Sequence, residues 1–208
     1  MSRGGTAFRG LLVLGVTISL AAGAGAGAAV DEFFSGIESI VLIVNVTDST
    51  QAQQGGSSGT EQTLERLKSL VVAAVARLDP GCRFDIINNA SGQHACFGSL
   101  RTASQANKAE ALTWVGGLSS AAAQNIFQAM AAESGIPPYD ECMTFVIFIG
   151  DLSSIYWETD RPTSTDILSA LPEGATLNFI KVVGTDNSSY EFCETLAEAT
   201  GGRIILLD

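Results

Sequence analysis

The chain contains few of the side chains that enzymes and metal proteins use most. His94 is the only histidine in 208 residues, so no catalytic triad or metal cluster can draw on more than one histidine. The cysteines form no Cys-x-x-Cys pair, which argues against a zinc site. No Gly-x-Ser-x-Gly elbow is present, and the glycine-rich segment before Thr60 lacks the lysine of a phosphate-binding loop. Enzyme chemistry is therefore poorly supported.

Positive charge is also scarce. The chain has 11 lysine and arginine residues against 22 aspartate and glutamate residues, a formal net charge of −11. A balance of this kind argues against a nucleic-acid partner, because nucleic-acid binding depends on basic side chains that neutralise phosphates. The acidic residues are scattered rather than grouped in blocks, so they indicate a well-solvated surface rather than an acidic recognition tail.

The longest apolar run lies at the amino terminus. Arg3 and Arg9 precede the apolar residues 11–22, and a tract of small residues follows. This order is typical of a secretory signal, and we expect cleavage near Ala26 to Ala29. The run is shorter than the ~20 residues that a spanning helix needs, and no later stretch is long enough. The sequence thus predicts a mature chain without a membrane span, secreted to the periplasm or the extracellular space.

The stretch from Ser39 to Thr50, SIVLIVNVTDST, predicts the central strand of a sheet. Its residues 40–46 are almost all apolar, as in a parallel strand that is buried on both faces, and a loop rich in side-chain oxygens follows. Ligands of such sheets bind beyond the carboxyl ends of the strands, so this loop is where we expect a site. An ordinary capped turn is the alternative interpretation.

Helix and strand patterns alternate from this strand to the end of the chain. Five more strands are predicted at 83–88, 95–98, 143–149, 176–183 and 203–207, of which 95–98 runs antiparallel in an edge hairpin. Helices are predicted from Thr60 to just before Asp79, at 104–115, 121–133 and 164–171, and from Ser188. The alternation predicts a three-layer, Rossmann-like α/β sandwich: a six-stranded, mostly parallel sheet with one antiparallel edge strand and helices on both faces.

This pattern also divides the chain. We expect a signal peptide at 1–28, a lead-in segment at 29–38 and one domain at 39–208. A chain of this length has enough apolar residues for one domain with a substantial core.

The four cysteines would enter an oxidising compartment if the chain is exported. Cys82 and Cys96 flank the predicted hairpin, and we expect them to form a disulfide. The sequence leaves open whether Cys142 and Cys193 pair or remain buried thiols.

Three asparagines begin glycosylation triplets, which matter only in a eukaryotic secretory pathway: Asn45, Asn89 and Asn187. Asn45 is expected to be buried, because it follows the central strand directly. Only the other two are plausible acceptors, and the sequence leaves open whether either is glycosylated.

The order of these segments resembles the von Willebrand factor type A domain family from about Ser39 to Leu207. The features that carry the resemblance are SIVLIVN with its loop VTDST, RFDII before a hairpin, the helix opening AAAQNIFQAM, the strands FVIFIGD and LNFIKVVG, and the final LAEATGGRI. Their order and spacing cover nearly the whole of the predicted mature chain.

The resemblance implies a metal-ion-dependent adhesion site. In the family this site has an Asp-x-Ser-x-Ser loop after the first strand, a threonine before a middle helix and an aspartate after the fourth strand. The matching residues here are Asn45, Thr47, Ser49, Gln124 and Asp151. Because neutral Asn45 stands in place of the charged aspartate, the site is degenerate and should bind Mg²⁺ weakly or not at all. In the alternative interpretation, these side chains only tie the loops together by hydrogen bonds.

The resemblance further implies a secreted binding or adhesion module that recognises a protein or an extracellular matrix partner through these loops. Tyr156 and Trp157 are adjacent on the loop after Asp151, where an aromatic pair can either form a binding surface or cover the edge of the core. The alternative function is an exported enzyme with Asp151 as its acid or base. No set of nucleophile, base and orienting group is readable, which favours the binding module.

Overall fold

The computed structural model describes residues 18–20, 33–46, 58–89, 95–119, 139, 142–149, 163–182 and 188–207. The strands in these ranges are β1 (Ile18–Leu20), β2 (Ser39–Val44), β3 (Arg83–Asn88), β4 (Arg101–Thr102), β5 (Thr144–Ile149), β6 (Thr176–Val182) and β7 (Ile204–Leu207). The helices are α1 (Ser58–Arg77), α2 (Gln105–Gly116), α3 (Ser164–Ala170) and α4 (Ser188–Thr200). The predicted helix at 121–133 lies outside the described residues.

The strands form one sheet in the order β1-β7-β6-β5-β2-β3-β4. Neighbouring strands are parallel except for β3 and β4, which are antiparallel at one edge. This confirms the predicted α/β class and its single antiparallel edge strand. From Ser39 onward the described residues contain six strands, which is the predicted number. A seventh, β1, lies in the segment that the sequence predicts to be a signal peptide and pairs with β7.

Strand β2 is buried on both faces, as its apolar sequence predicts. Ile40, Leu42 and Val44 belong to the core that includes buried residues of α1 and α2. Val41 and Ile43 belong to the opposite core, which includes buried residues of α3 and α4. Full burial of each such side chain stabilises the fold by ~1.5–3 kcal/mol. The central strand therefore joins two cores.

The helices begin and end close to the predicted positions. Helix α1 begins at Ser58, two residues before the predicted cap Thr60, and ends at Arg77. The Nζ of Lys108 donates to the carbonyl oxygens of Ala76 (3.2 Å) and Leu78 (2.6 Å), so a cation lies where the helix dipole is negative.

Among the residues that the structure describes, no helix is both long enough and apolar enough to cross a membrane.

The edge strand differs from the prediction. Residues 95–98 form only an isolated bridge between Ala95 and Ile87, and the antiparallel strand β4 lies farther along, at Arg101–Thr102. The reason is that the backbone N–H of Phe97 donates to the carboxylate of Asp85 (3.0 Å) rather than to a backbone carbonyl of β3. The N–H of Phe97 is thus bonded to a buried side chain and is not available for a backbone hydrogen bond to β3.

The predicted disulfide between Cys82 and Cys96 is wrong, because both residues are thiols. The backbone N–H of Cys96 donates to the carbonyl of Ile86, which lies four residues along β3 from Cys82. At ~3.3 Å per residue the cysteines are ~13 Å apart along the strand, whereas a disulfide needs Cα atoms within ~7 Å.

The other two cysteines, Cys142 and Cys193, are buried thiols. Burial raises the pKa of the Cys142 thiol to about 11, so this side chain stays protonated and unreactive at neutral pH.

Asp85 lies in the middle of β3 with a fully buried carboxylate. It accepts hydrogen bonds from the N–H groups of Ile86 (2.7 Å) and Phe97 (3.0 Å) and from the hydroxyl of Tyr139 (2.8 Å). Burial raises the pKa of Asp85 above 3.8, although these hydrogen bonds oppose the shift. The Asp85 carboxylate therefore attaches both Phe97 and Tyr139 to strand β3.

We expect Asp85 to make stability depend on pH. Its folded-state pKa is raised, so the folded chain binds the proton more tightly than the unfolded chain. This contribution is complete below pH 3.8 and is lost as the pH rises through the folded-state pKa. In Asp85→Asn the amide oxygen can still accept from the backbone, and the amide nitrogen can donate to Tyr139. Urea unfolding across this range should show that the stability gain on acidification is smaller in Asp85→Asn, and equal gains would contradict the expectation.

The turn between α4 and β7 requires glycine. A Cβ on Gly202 would overlap the backbone carbonyl oxygen of Leu177 in β6, which cannot move without disturbing the sheet. The N–H of Gly202 donates to the carbonyl of Ala197 (2.8 Å), which ends α4. The backbone of β6 and the end of α4 are therefore in direct contact at this glycine.

We predict that Gly202→Ala lowers the free energy of unfolding by ~2–4 kcal/mol, because the clash is with backbone. Gly116→Ala is the matched control: its Cβ would meet no atom within 4 Å, and alanine is the better helix former. Urea denaturation of both variants tests this. A Gly202→Ala variant as stable as the control would show that the turn adjusts freely.

Candidate functional site

Four side chains share one level at the carboxyl ends of neighbouring strands, and we refer to them as the strand-end row: Asn89, Asn45, Ile149 and Lys181. Strand pairing aligns Val44 with both Asn88 and Phe148, and aligns Ile149 with Lys181. Extending β2 and β3 by one residue places Asn45 level with Asn89 and Ile149. Odd-numbered residues of these strands face α3 and α4. The row lies at the edge where parallel sheets bind ligands.

Asn45 occupies the predicted place at the end of the central strand and, as expected, is buried, with 6% of its surface exposed. Its backbone N–H donates to the carbonyl of Phe148 (3.1 Å), which continues the pairing of β2 with β5. Its side-chain Oδ1 accepts a hydrogen bond from Nδ2 of Asn89 (3.0 Å). The oxygen that would face a cation is thus oriented by a neighbouring amide.

Asn89 is even more completely buried, at 1% exposed. Its Nδ2 donates to Asn45, and its Oδ1 accepts from the backbone N–H of Val46 (2.8 Å). A glycan would have to be attached to this same buried nitrogen, so burial argues against Asn89 as an acceptor. Asn187 lies outside the described residues.

Lys181 is the charged member of the strand-end row and is 7% exposed. Its Nζ lies 6.0 Å from the centroid of the Tyr190 ring, in the first turn of α4, where a cation–π interaction is favourable. The row therefore combines two neutral amides with one ammonium group. Among the described residues, no group of three or more His, Cys, Asp or Glu side chains is arranged to hold a metal ion.

The structure describes part of the predicted site. Strands β2 and β5 are neighbours, so the loops after them start at the same edge of the sheet, as the proposed ligand set requires. Of the predicted ligands, only Asn45 is described. The remaining predicted site residues lie outside the described residues: Thr47, Ser49, Gln124, Asp151, Tyr156 and Trp157.

Asn89 and Lys181 were not identified as site residues from the sequence. A usable signal existed for Asn89: it is the second of two asparagines that follow RFDII, at the end of a predicted strand, as Asn45 is at the end of IVLIV. Because parallel strands end at the same edge, the polar residues after both should have been expected to meet. Lys181 gives no such signal, since a lysine within an apolar strand usually marks an exposed position.

The donor chemistry of Asn45 fits a weak cation site. An amide oxygen can coordinate a hard cation such as Mg²⁺ but brings no negative charge. The hydrogen bond from Asn89 does not exclude a cation, because a carbonyl oxygen has two lone pairs.

Comparison with solved structures identifies the architecture. The chain is similar to a von Willebrand factor type A protein from Catenulispora acidiphila (TM-score 0.58, 15% identity, 83% of this chain and 39% of that chain). It is also similar to proximal thread matrix protein 1 from the mussel byssus, solved with a zinc-occupied MIDAS motif (TM-score 0.52, 12% identity, 83% of this chain and 43% of that chain).

This chain spans about two fifths of the length of these two proteins. No protein-family model and no curated protein sequence matches it. At these identities the likeness concerns the fold. The described chain has the fold of the von Willebrand factor type A domain, as its sequence resemblance predicts.

Proposed function

We propose that this chain is a secreted binding or adhesion module that contacts a protein or matrix partner through the loops at the carboxyl ends of its strands. The observation that carries the proposal is the strand-end row, which brings three polar side chains (Asn45, Asn89 and Lys181) to the ligand-binding edge of a von Willebrand factor type A fold. Domains of this fold generally serve as interaction modules rather than enzymes. One structural neighbour is by name a thread matrix protein from the mussel byssus, which fits an exported role.

We further propose that dependence on a divalent metal is weak or absent. Another protein of this fold has zinc in its MIDAS motif. In this chain Asn45, Thr47, Ser49, Gln124 and Asp151 would hold the ion. A bound cation would offer a partner's oxygen atoms a point of attachment. The neutral amide of Asn45 and its hydrogen bond with Asn89 support a site that is held in shape without the ion.

We predict that Asn45→Asp binds Mg²⁺ at least tenfold more tightly than the wild type. A carboxylate added at a partly solvated site attracts a dication by a few kcal/mol, from which desolvation must be subtracted. Asp151→Ala should abolish the residual affinity. Calorimetric titration of the three metal-stripped proteins in the same salt measures both effects.

Two outcomes would contradict this metal site. If Asn45→Asp binds no better than the wild type, Gln124 or the loop geometry prevents coordination. If Asp151→Ala binds as well as the wild type, the ion is held elsewhere.

We predict that Tyr156 and Trp157 are anchors of the partner surface, because aromatic side chains offer a large contact area at a small cost in ordering. The full-length chain would be tested on an array of purified extracellular matrix and secreted proteins, with and without EDTA. Each bound protein is then titrated against Tyr156→Ala/Trp157→Ala, which should bind at least tenfold more weakly.

Met143→Ala is the control for the aromatic pair. Met143 is 46% exposed and directly precedes β5. It therefore lies at the amino-terminal ends of the strands, away from the proposed contact surface, and its loss should leave binding unchanged. If no protein on the array binds, the proposed function is in doubt. If the control weakens binding as much as the double variant does, the contact surface is wrongly placed.

A further inference from the structure

Asn89 connects the ends of the two neighbouring strands β2 and β3 through a single carboxamide. Its Oδ1 accepts from the Val46 N–H (2.8 Å), and its Nδ2 donates to Oδ1 of Asn45 (3.0 Å). A carboxamide presents an acceptor and a donor in one plane, as a peptide group does. The backbone pairing of β2 with β3 ends at Val44 and Asn88. Beyond that point, the Asn89 side chain continues the hydrogen bonding between the two strands as a peptide group would.

Few other side chains could make this pair of contacts. Aspartate has no donor for the Asn45 oxygen, and serine or threonine is too short to bridge both groups from the same position. Glutamine carries an extra methylene, for which a residue 1% exposed has no room. The chemistry at this position is thus specific for asparagine.

The two contacts hold the Asn45 side chain and the Val46 backbone in place. Asn45 provides the first of the predicted ligand oxygens, and Val46 is the last residue before Thr47. Hydrogen-bond partners of this kind orient ligand atoms, and their loss typically lowers metal affinity by ~10–100-fold.

We propose that Asn89 is the positioning residue of the strand-end site: it sets the direction of the side-chain oxygen at position 45 and the position of the Val46 backbone. This rests on the proposed function in that it takes position 45 to be part of the binding site. The residue does not itself touch a ligand. It acts through Asn45 and Val46, and it does so whether or not a cation is present.

The first test measures coupling between the two asparagines without any ligand. Urea unfolding midpoints are compared for the full-length wild type, Asn45→Ala, Asn89→Ala and the double variant. Because the side chains share a hydrogen bond, the double variant should shift the midpoint by clearly less than the sum of the single shifts. Additive shifts would overturn the proposal. If Asn89→Ala does not fold, Asn89→Ser replaces it in the same cycle.

The second test separates positioning from general stability. Mn²⁺, which can be followed by electron paramagnetic resonance, is titrated into Asn45→Asp and into Asn45→Asp/Asn89→Ala. Loss of Asn89 should weaken Mn²⁺ binding at least tenfold. Equal affinities would overturn the positioning role.

Asn178→Ala in the same Asn45→Asp background is the matched control. Asn178 is also a buried asparagine that bridges backbone groups, donating to the Phe145 carbonyl (3.2 Å) and accepting from the Arg203 N–H (2.9 Å). It lies at the amino-terminal end of the sheet, so its loss should lower the urea midpoint and leave Mn²⁺ affinity unchanged. If Asn178→Ala weakens Mn²⁺ binding equally, the effect of Asn89 is general destabilisation and the proposal fails.

These outcomes are distinct from those that test the proposed function. Absence of a protein partner would reject the binding module and leave the coupling of Asn45 and Asn89 intact. Absence of Mn²⁺ binding by Asn45→Asp would reject position 45 as a cation ligand. The urea unfolding midpoints alone would then test whether Asn89 positions Asn45.

Discussion

The rest of the structure depends on the complete burial of β2 between two cores. Residues 40–44 of this strand each belong to the core on one face or the other, so none of them can carry a polar group that needs water. Chemistry is therefore confined to the positions where the strand leaves the sheet. Asn45 is the first such position, and even there the side chain is hydrogen-bonded to a neighbouring strand rather than left exposed.

The apolar strands could be read from the sequence because burial on both faces leaves an unbroken apolar signature. Residues 40–44 and 145–149 give this signature, and both belong to central strands. The edge of the sheet could not be read in the same way. There the position of the antiparallel strand depends on Asp85. Its buried carboxylate accepts a hydrogen bond from the N–H of Phe97, and the antiparallel pairing with β3 is formed by β4 instead. A tertiary contact of this kind leaves no periodic pattern.

The candidate site was predictable only along the chain. The position of Asn45 followed from the end of an apolar run, and its burial followed from the same argument. Its contact with Asn89 depended on the register between β2 and β3, in which two residues 44 positions apart become neighbours. The same register explains why Asn89, which begins a glycosylation triplet, is a buried structural amide. A glycosylation triplet is a property of the local sequence. Whether its asparagine is accessible depends on how the strands pair in the folded chain.

The four cysteines have a consequence for where this chain can fold. Each is a thiol, at least three are fully packed in the core, and Cys82 and Cys96 are too far apart along β3 to be joined. The fold is therefore held by packing and hydrogen bonds that do not respond to the redox potential of their surroundings. A chain of this kind can reach this structure in a reducing compartment, because no disulfide has to form.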